Sequence, residues 1–112
     1  MRKFIGISAI LAMAATGSIY ADGSAVFSKS GCKSCHHPEK DQLAMGLGPS
    51  LAQISAAYKA GSGKDGLVTF LKGEGKPIVA PKKFGVMKSQ LGKTKKLSDG
   101  DRGSLSDFIL SH

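Results

Sequence analysis

The chain contains two cysteines, and they stand three apart in Cys32-Lys33-Ser34-Cys35-His36. No other short segment constrains the fold as much, because each chemistry open to such a pair demands a different scaffold. A disulfide between cysteines this close is geometrically poor and closes almost no loop, so it would stabilise little. A thioredoxin-like redox pair belongs in a βαβ setting, and no alternating run long enough for a strand is present. A zinc site takes four ligands, and the candidates beyond the cysteines are only His37, His112 and carboxylates. The fourth reading is CxxCH, the attachment signature of a c-type haem. A helical turn ending at Cys35 sets both sulfurs along one haem edge, within reach of its two vinyl groups, and His36 follows directly beneath the iron.

Composition explains why a chain like this needs a guest. Residues 1–21 read as a secretory signal peptide: Met1-Arg2-Lys3 is a cationic start, Phe4 to Ala15 an apolar run, and Thr16 to Ala21 a stretch ending in small residues. The run is too short to span a bilayer, for which about 20 apolar residues are required. Ile19, three residues before the cleavage point, departs from the small-residue pattern and leaves a retained anchor as the alternative. Cleavage after Ala21 would leave residues 22–112 as a single domain of 91 residues, with 14 basic and 8 acidic side chains. Its Leu, Ile, Val and Phe number 20, and Trp is absent. So few large apolar side chains place the chain near the compositional boundary of disorder and make a self-sufficient core hard to close.

The expected fold is all-α. Asp22 or Ser24 can cap a short helix running to about Gly31, with Val26 and Phe27 as its apolar contacts. Residues 36–49 read as loop. Ser50 opens a helix in which Leu51, Ile54 and Tyr58 share one face, ended by Gly61-Ser62-Gly63. Asp65 is expected to cap a third helix carrying Leu67, Val68, Phe70 and Leu71. From Gly73 to Leu97 the chain is rich in Gly, Pro and Lys and is expected to hold little regular structure, the kind of long segment that normally has a function. Ser98 caps the last helix, with Asp101 three residues on and Leu105, Phe108 and Ile109 as its stripe.

Taken together these segments resemble a class I c-type cytochrome of the small bacterial monohaem kind. The resemblance covers residues 22–112 and rests on the helix leading into Cys32-Lys33-Ser34-Cys35-His36, on Gly48-Pro49-Ser50-Leu51, on Met87, and on Leu97-Ser98-Asp99-Gly100-Asp101 followed by Leu105 and Phe108-Ile109. It implies an all-α fold of three to five helices wrapped around one haem c, thioether-bonded to Cys32 and Cys35, with His and Met as axial ligands. It implies that Phe27 and Phe108 lie where the first and last helices cross. It further implies that the Pro49 carbonyl accepts the Nδ1–H of the axial His36, a bond that fixes the ring and raises ligand basicity.

For the axial methionine two residues survive cleavage, Met45 and Met87. Met87 lies 51 residues beyond His36, far enough for the chain to pass round to the opposite haem face. Met45 lies only 9 residues beyond it, which strains such an approach. Met87 is therefore expected as the ligand, with Met45 or an open sixth position as alternatives. The stretch from Pro77 to Val86 is longer than in the smallest relatives and can form an extra short helix over the haem edge. With Trp absent, the propionate partners are not assigned. His37 and His112 are expected at the surface.

The function expected is periplasmic electron transfer on a six-coordinate haem. A methionine ligand raises the potential and a closed coordination sphere leaves no room for substrate. The chain offers no acid–base pair, no nucleophile beyond the two cysteines and no phosphate loop, so an enzyme is not expected. The alternative is a haem enzyme or gas sensor with an open or displaceable sixth position; an anchored oxidase subunit is a third reading if the leader is retained. Lys82, Lys83, Lys88, Lys93, Lys95 and Lys96 flank Met87, which points to a monomer that meets membranes only through redox partners bearing an acidic docking face. Such partners would be a terminal oxidase, a quinol-oxidising complex or another periplasmic reductase or oxidase. The compartment and the lack of interleaved aromatics argue against nucleic acid.

Overall fold

The computed structural model describes residues 22–112, so the segment read as a signal peptide lies outside the described residues. Helix α1, Gly23–Lys29, starts at Asp22, whose carboxylate accepts the Ser24 N–H at 3.1 Å. Gly31, at φ 78°, turns the chain into a 3-10 turn over Cys32–Ser34. A loop containing a second such turn, Leu43–Met45, leads to α2, Leu51–Ala60. Ser50 and Gln53 close a reciprocal capping box at its start. Helix α3, Gly63–Leu71, begins two residues before Asp65, and Ser62 at its cap makes no side-chain bond. Asp65 is thus a first-turn acid facing the positive end of the helix dipole rather than the expected cap. Gly73, at φ 81°, ends α3: its N–H reaches the Phe70 carbonyl and the Glu74 N–H reaches that of Thr69.

The segment from 73 to 97 departs from expectation. It is irregular only to Ala80; a 3-10 turn at Pro81–Lys83 runs directly into a 12-residue helix α4, Phe84–Lys95, which carries Met87 in its second turn. The extra helix anticipated for residues 77–86 is therefore the start of a longer one. Helix α5, Asp99–Leu110, follows, capped by the Ser98 hydroxyl accepting the Asp101 N–H. Among the described residues every regular element is helical, and none is a helix long and apolar enough to cross a membrane.

Helices α1 and α5 cross at Gly23. A Cβ there would run into the Ser104 carbonyl oxygen and lie 2.7 Å from Phe108 Cβ, so only glycine permits this approach. One turn on, the Phe27 and Phe108 rings meet at 5.3 Å and 49°. Helices α2 and α3 complete the layer against α5. Ser55 Oγ donates to the Leu110 carbonyl at 3.2 Å, the exposed Lys64–Asp107 pair spans 3.0 Å, and Leu51, Leu67, Leu105 and Ile109 fill the space between.

Candidate haem site

Between this layer and α4 lies an apolar cleft of about 350 Å³. The 3-10 turn after α1 brings Cys32 and Cys35 to one rim; the Cys35 and His36 N–H groups both bond back to the Cys32 carbonyl, at 3.1 and 3.0 Å, which fixes the turn. The floor is the core itself, through Phe27, Leu51, Leu67, Leu71 and Ile109. The far wall is one face of α4, where Met87, Gln90 and Thr94 border the cleft at helical spacing. Five residues singled out by the sequence, Cys32, Cys35, His36, Pro49 and Met87, therefore border one cavity. Met45 does not: it is 72% exposed and its side chain lines no part of it.

His36 is 9% exposed, and its Nδ1–H donates to the Pro49 carbonyl at 2.8 Å. That bond places the proton on Nδ1 and leaves the Nε2 lone pair free to act as a ligand. The neighbouring glycine makes the approach possible. A Cβ on Gly48 would fall 2.7 Å from His36 Nδ1, and the Gly48 N–H donates to the Cys35 carbonyl at 2.9 Å. The Gly48-Pro49 segment thus lies flat against the CxxCH turn. His37 is half-buried rather than a free surface group; its Nδ1 accepts the N–H groups of Glu39 and Lys40, at 3.1 and 3.0 Å, and shapes the loop. His112 is exposed and sets its ring edge against Phe108 at 4.8 Å.

No disulfide joins Cys32 and Cys35. Burial pushes the Cys32 thiol up, and the Cys32 backbone bond and the Lys93 ammonium offset this only in part. A disulfide-exchange motif needs the opposite, a thiol whose acidity is increased. Among the described residues no three His, Cys, Asp or Glu side chains converge as a zinc site would need. Lys83, Lys93 and the exposed apolar residues Ile78 and Val86 also border the cleft.

The roles of four residues escaped the sequence. Gly48 is legible only once His36 is known to pack against it. Gln90 and Thr94 follow Met87 at three and seven residues, a helical spacing that the surrounding glycines and lysines hide. Arg102 lies outside the cleft but is tied to Thr94, which borders it: its Nε donates to the Thr94 carbonyl at 3.1 Å.

The chemistry of this donor set fits a covalently held haem. Two thiols stand on one rim, an oriented imidazole with a free nitrogen stands beside them, and an apolar floor continuous with the core suits a flat macrocycle. No individual curated protein matches the sequence closely enough to be set beside it. The cytochrome c family, in contrast, matches residues 20–112, a span that takes in every element described above. Its members carry haem c bonded through cysteines, of which this chain has only Cys32 and Cys35, and they serve in haem-based electron transfer with redox partners. With its fold, its cleft and its family agreeing, the chain belongs to the cytochrome c family.

Proposed function

We propose that this protein is a diffusible periplasmic carrier of single electrons between respiratory complexes, holding its haem between His36 and Met87. In this reading residues 1–21 are a signal peptide removed after Ala21, and residues 22–112 are the working domain. The haem iron supplies the chemistry, taking up and releasing one electron. Cys32 and Cys35 hold the group by thioether bonds. The Pro49 carbonyl keeps the His36 ring in one orientation and makes Nε2 a stronger donor. The apolar floor keeps water from the cleft, and a thioether from Met87 favours the reduced state, raising the potential. The lysines around the cleft, all exposed, favour partners presenting an acidic face, such as a terminal oxidase, a quinol-oxidising complex or another periplasmic reductase or oxidase.

One observation carries the ligand assignment: Met87 borders the cavity that His36 borders, and Met45 does not. Absorption spectra of the ferric and ferrous protein, with and without carbon monoxide, test it. Wild type should show the weak red band of a methionine–iron bond in the ferric state and resist carbon monoxide in the ferrous state. Met87→Ala should keep its covalent haem, lose the band, bind carbon monoxide and drop in potential; Met45→Ala should match wild type. Ready carbon monoxide binding by wild type would sink the carrier in favour of a haem enzyme or gas sensor.

A further inference from the structure

The polar node behind α4 is centred on Arg102, which lies outside the cleft. Arg102, at the second turn of α5, is only 4% exposed. Its guanidinium donates to three backbone carbonyls at the end of α4 and just beyond: Nε to Thr94 at 3.1 Å, Nη2 to Lys95 at 2.9 Å and to Leu97 at 2.6 Å. The Thr94 and Lys95 carbonyls lie in the last turn of α4, at the negative end of its dipole, so a buried cation suits them even though Thr94 also accepts the Leu97 N–H at 3.2 Å. The ion pair of Arg102 with Asp99, at 2.8 Å, involves a carboxylate that is 93% exposed and contributes little. Thr94 continues the chain of bonds, its hydroxyl donating to the Leu71 carbonyl at 2.6 Å. The ends of α3 and α4 and the start of α5 are thereby tied together, and both Leu71 and Thr94 border the cleft.

Helix α4 has little else to hold it. Its only buried residues are Leu91 and Thr94, both in its second half, while its first turn is held by Phe84 against Phe70 at 5.8 Å. Met87 lies eight residues before Lys95, a lever of about 12 Å at helical rise, so a tilt of about 10° at the node would shift it by about 2 Å. Coordination bonds tolerate far smaller errors, about 0.2 Å. We propose that Arg102, acting through Thr94, is a positioning residue that holds α4 at the angle at which Met87 meets the iron. The proposal rests on the reading of Met87 as axial ligand.

The test compares haem-loaded Arg102→Ala, Thr94→Val, Asp99→Asn and Met87→Ala with wild type by three measurements: the ferric red band, the rate at which added imidazole binds the ferric protein, and amide hydrogen exchange along α4. Arg102→Ala should weaken the band and speed imidazole binding at least about tenfold, since it removes three charge-assisted hydrogen bonds, each worth about a factor of ten or more. Protection of α4 amides should fall while that of Val26 and Phe27, at the α1–α5 crossing, is retained. Thr94→Val should act in the same direction and less strongly, and it carries the comparison if Arg102→Ala does not fold. Asp99→Asn should change none of the three; an effect as large as that of Arg102→Ala would overturn the carbonyl clamp in favour of the ion pair. Unchanged imidazole binding in Arg102→Ala and Thr94→Val, or loss of protection at α1 as well as α4, would also overturn the positioning role. If Met87→Ala opens the iron and those two variants do not, only the positioning role falls. If Met87→Ala leaves band and binding unchanged, the axial assignment fails and this proposal with it.

Discussion

The two sides of the cleft are built on different principles. On one side α1 and α5 cross with Gly23 against the Ser104 backbone and Phe27 against Phe108, protein packed directly on protein. On the other, α4 carries three lysines and two glycines, buries only Leu91 and Thr94, and is secured by hydrogen bonds from Arg102 at one end and an aromatic contact at the other. The first side is closed by shape. The second faces the cavity with the residues that would meet a haem, so its apolar contacts are completed by the cofactor rather than by the chain. With so few large apolar residues, the domain is expected to depend on that outside supply to close its core.

Removing that supply should have the largest effect. A Cys32→Ala/Cys35→Ala variant, made without covalent haem, should be largely unfolded, because a group bound only in the native state adds its binding free energy to stability. Circular dichroism checks this: a cooperative melt with full helix content would break the comparison. The next largest effect belongs to the closed side. Gly23→Ala in the haem-loaded protein should be destabilising by about 3 kcal/mol, the upper end of ordinary overpacking, since the clash is with backbone. The melting temperature should fall by roughly 15 °C. A shift of only a degree or two would mean that the crossing is less tight than its geometry.

This asymmetry also governs what the sequence revealed. The starts of α1, α2 and α5 were legible because Asp22, Ser50 and Ser98 act on amides two or three residues away, and CxxCH is equally local. Helix α4 was missed although Phe84, Met87 and Leu91 stand at i, i+3 and i+7. Gly85 and Gly92 lower its propensity, and an apolar face turned toward a cofactor need not be rich in Leu or Ile. Asp65 misled because the turn at Gly63, at φ 67°, had already started α3. Gly23, Gly48 and Arg102 have meanings set entirely by what the fold brings to them; an arginine in a helix with a polar sequence reads as surface until three carbonyls are seen to surround it.

Charge offers a subtler distinction between the two sides. Lys83 and Lys93 border the cleft, and Lys88 lies on the same helix, whereas the exposed Lys59 sits on α2 and borders no part of it. Oxidation of the ferrous protein by hexacyanoferrate(III), a compact anion, should therefore slow as salt rises and Debye screening shortens to about 10 Å at 0.1 M. A Lys88→Glu/Lys93→Glu variant should react about tenfold more slowly at low salt, within the range of electrostatic steering. Lys59→Glu should change the rate much less. A Lys59→Glu effect half as large on the logarithm of the rate, in proportion to the charge reversed, would mean that only net charge matters and would remove the argument for a directed acidic docking face.

The smallest effect is also the cleanest contrast, because it repeats the Gly23 substitution on the opposite side of the molecule. Nothing lies within 4 Å of where a Cβ on Gly92 would be, in the third turn of α4. Alanine there meets no steric opposition and restricts the unfolded chain, so Gly92→Ala should be stabilising by about 0.5–1 kcal/mol. The gain should appear as a slightly higher melting temperature and as slower exchange of α4 amides, with those of α1 unaltered. Because the substitution strengthens the helix rather than its anchorage, the Met87–iron band should stay as in wild type. A destabilised Gly92→Ala would show that α4 is packed as tightly on its outer face as α1 is against α5, and the distinction between the two sides would be lost. A stabilised variant with unchanged α4 exchange would place its effect in the unfolded chain alone.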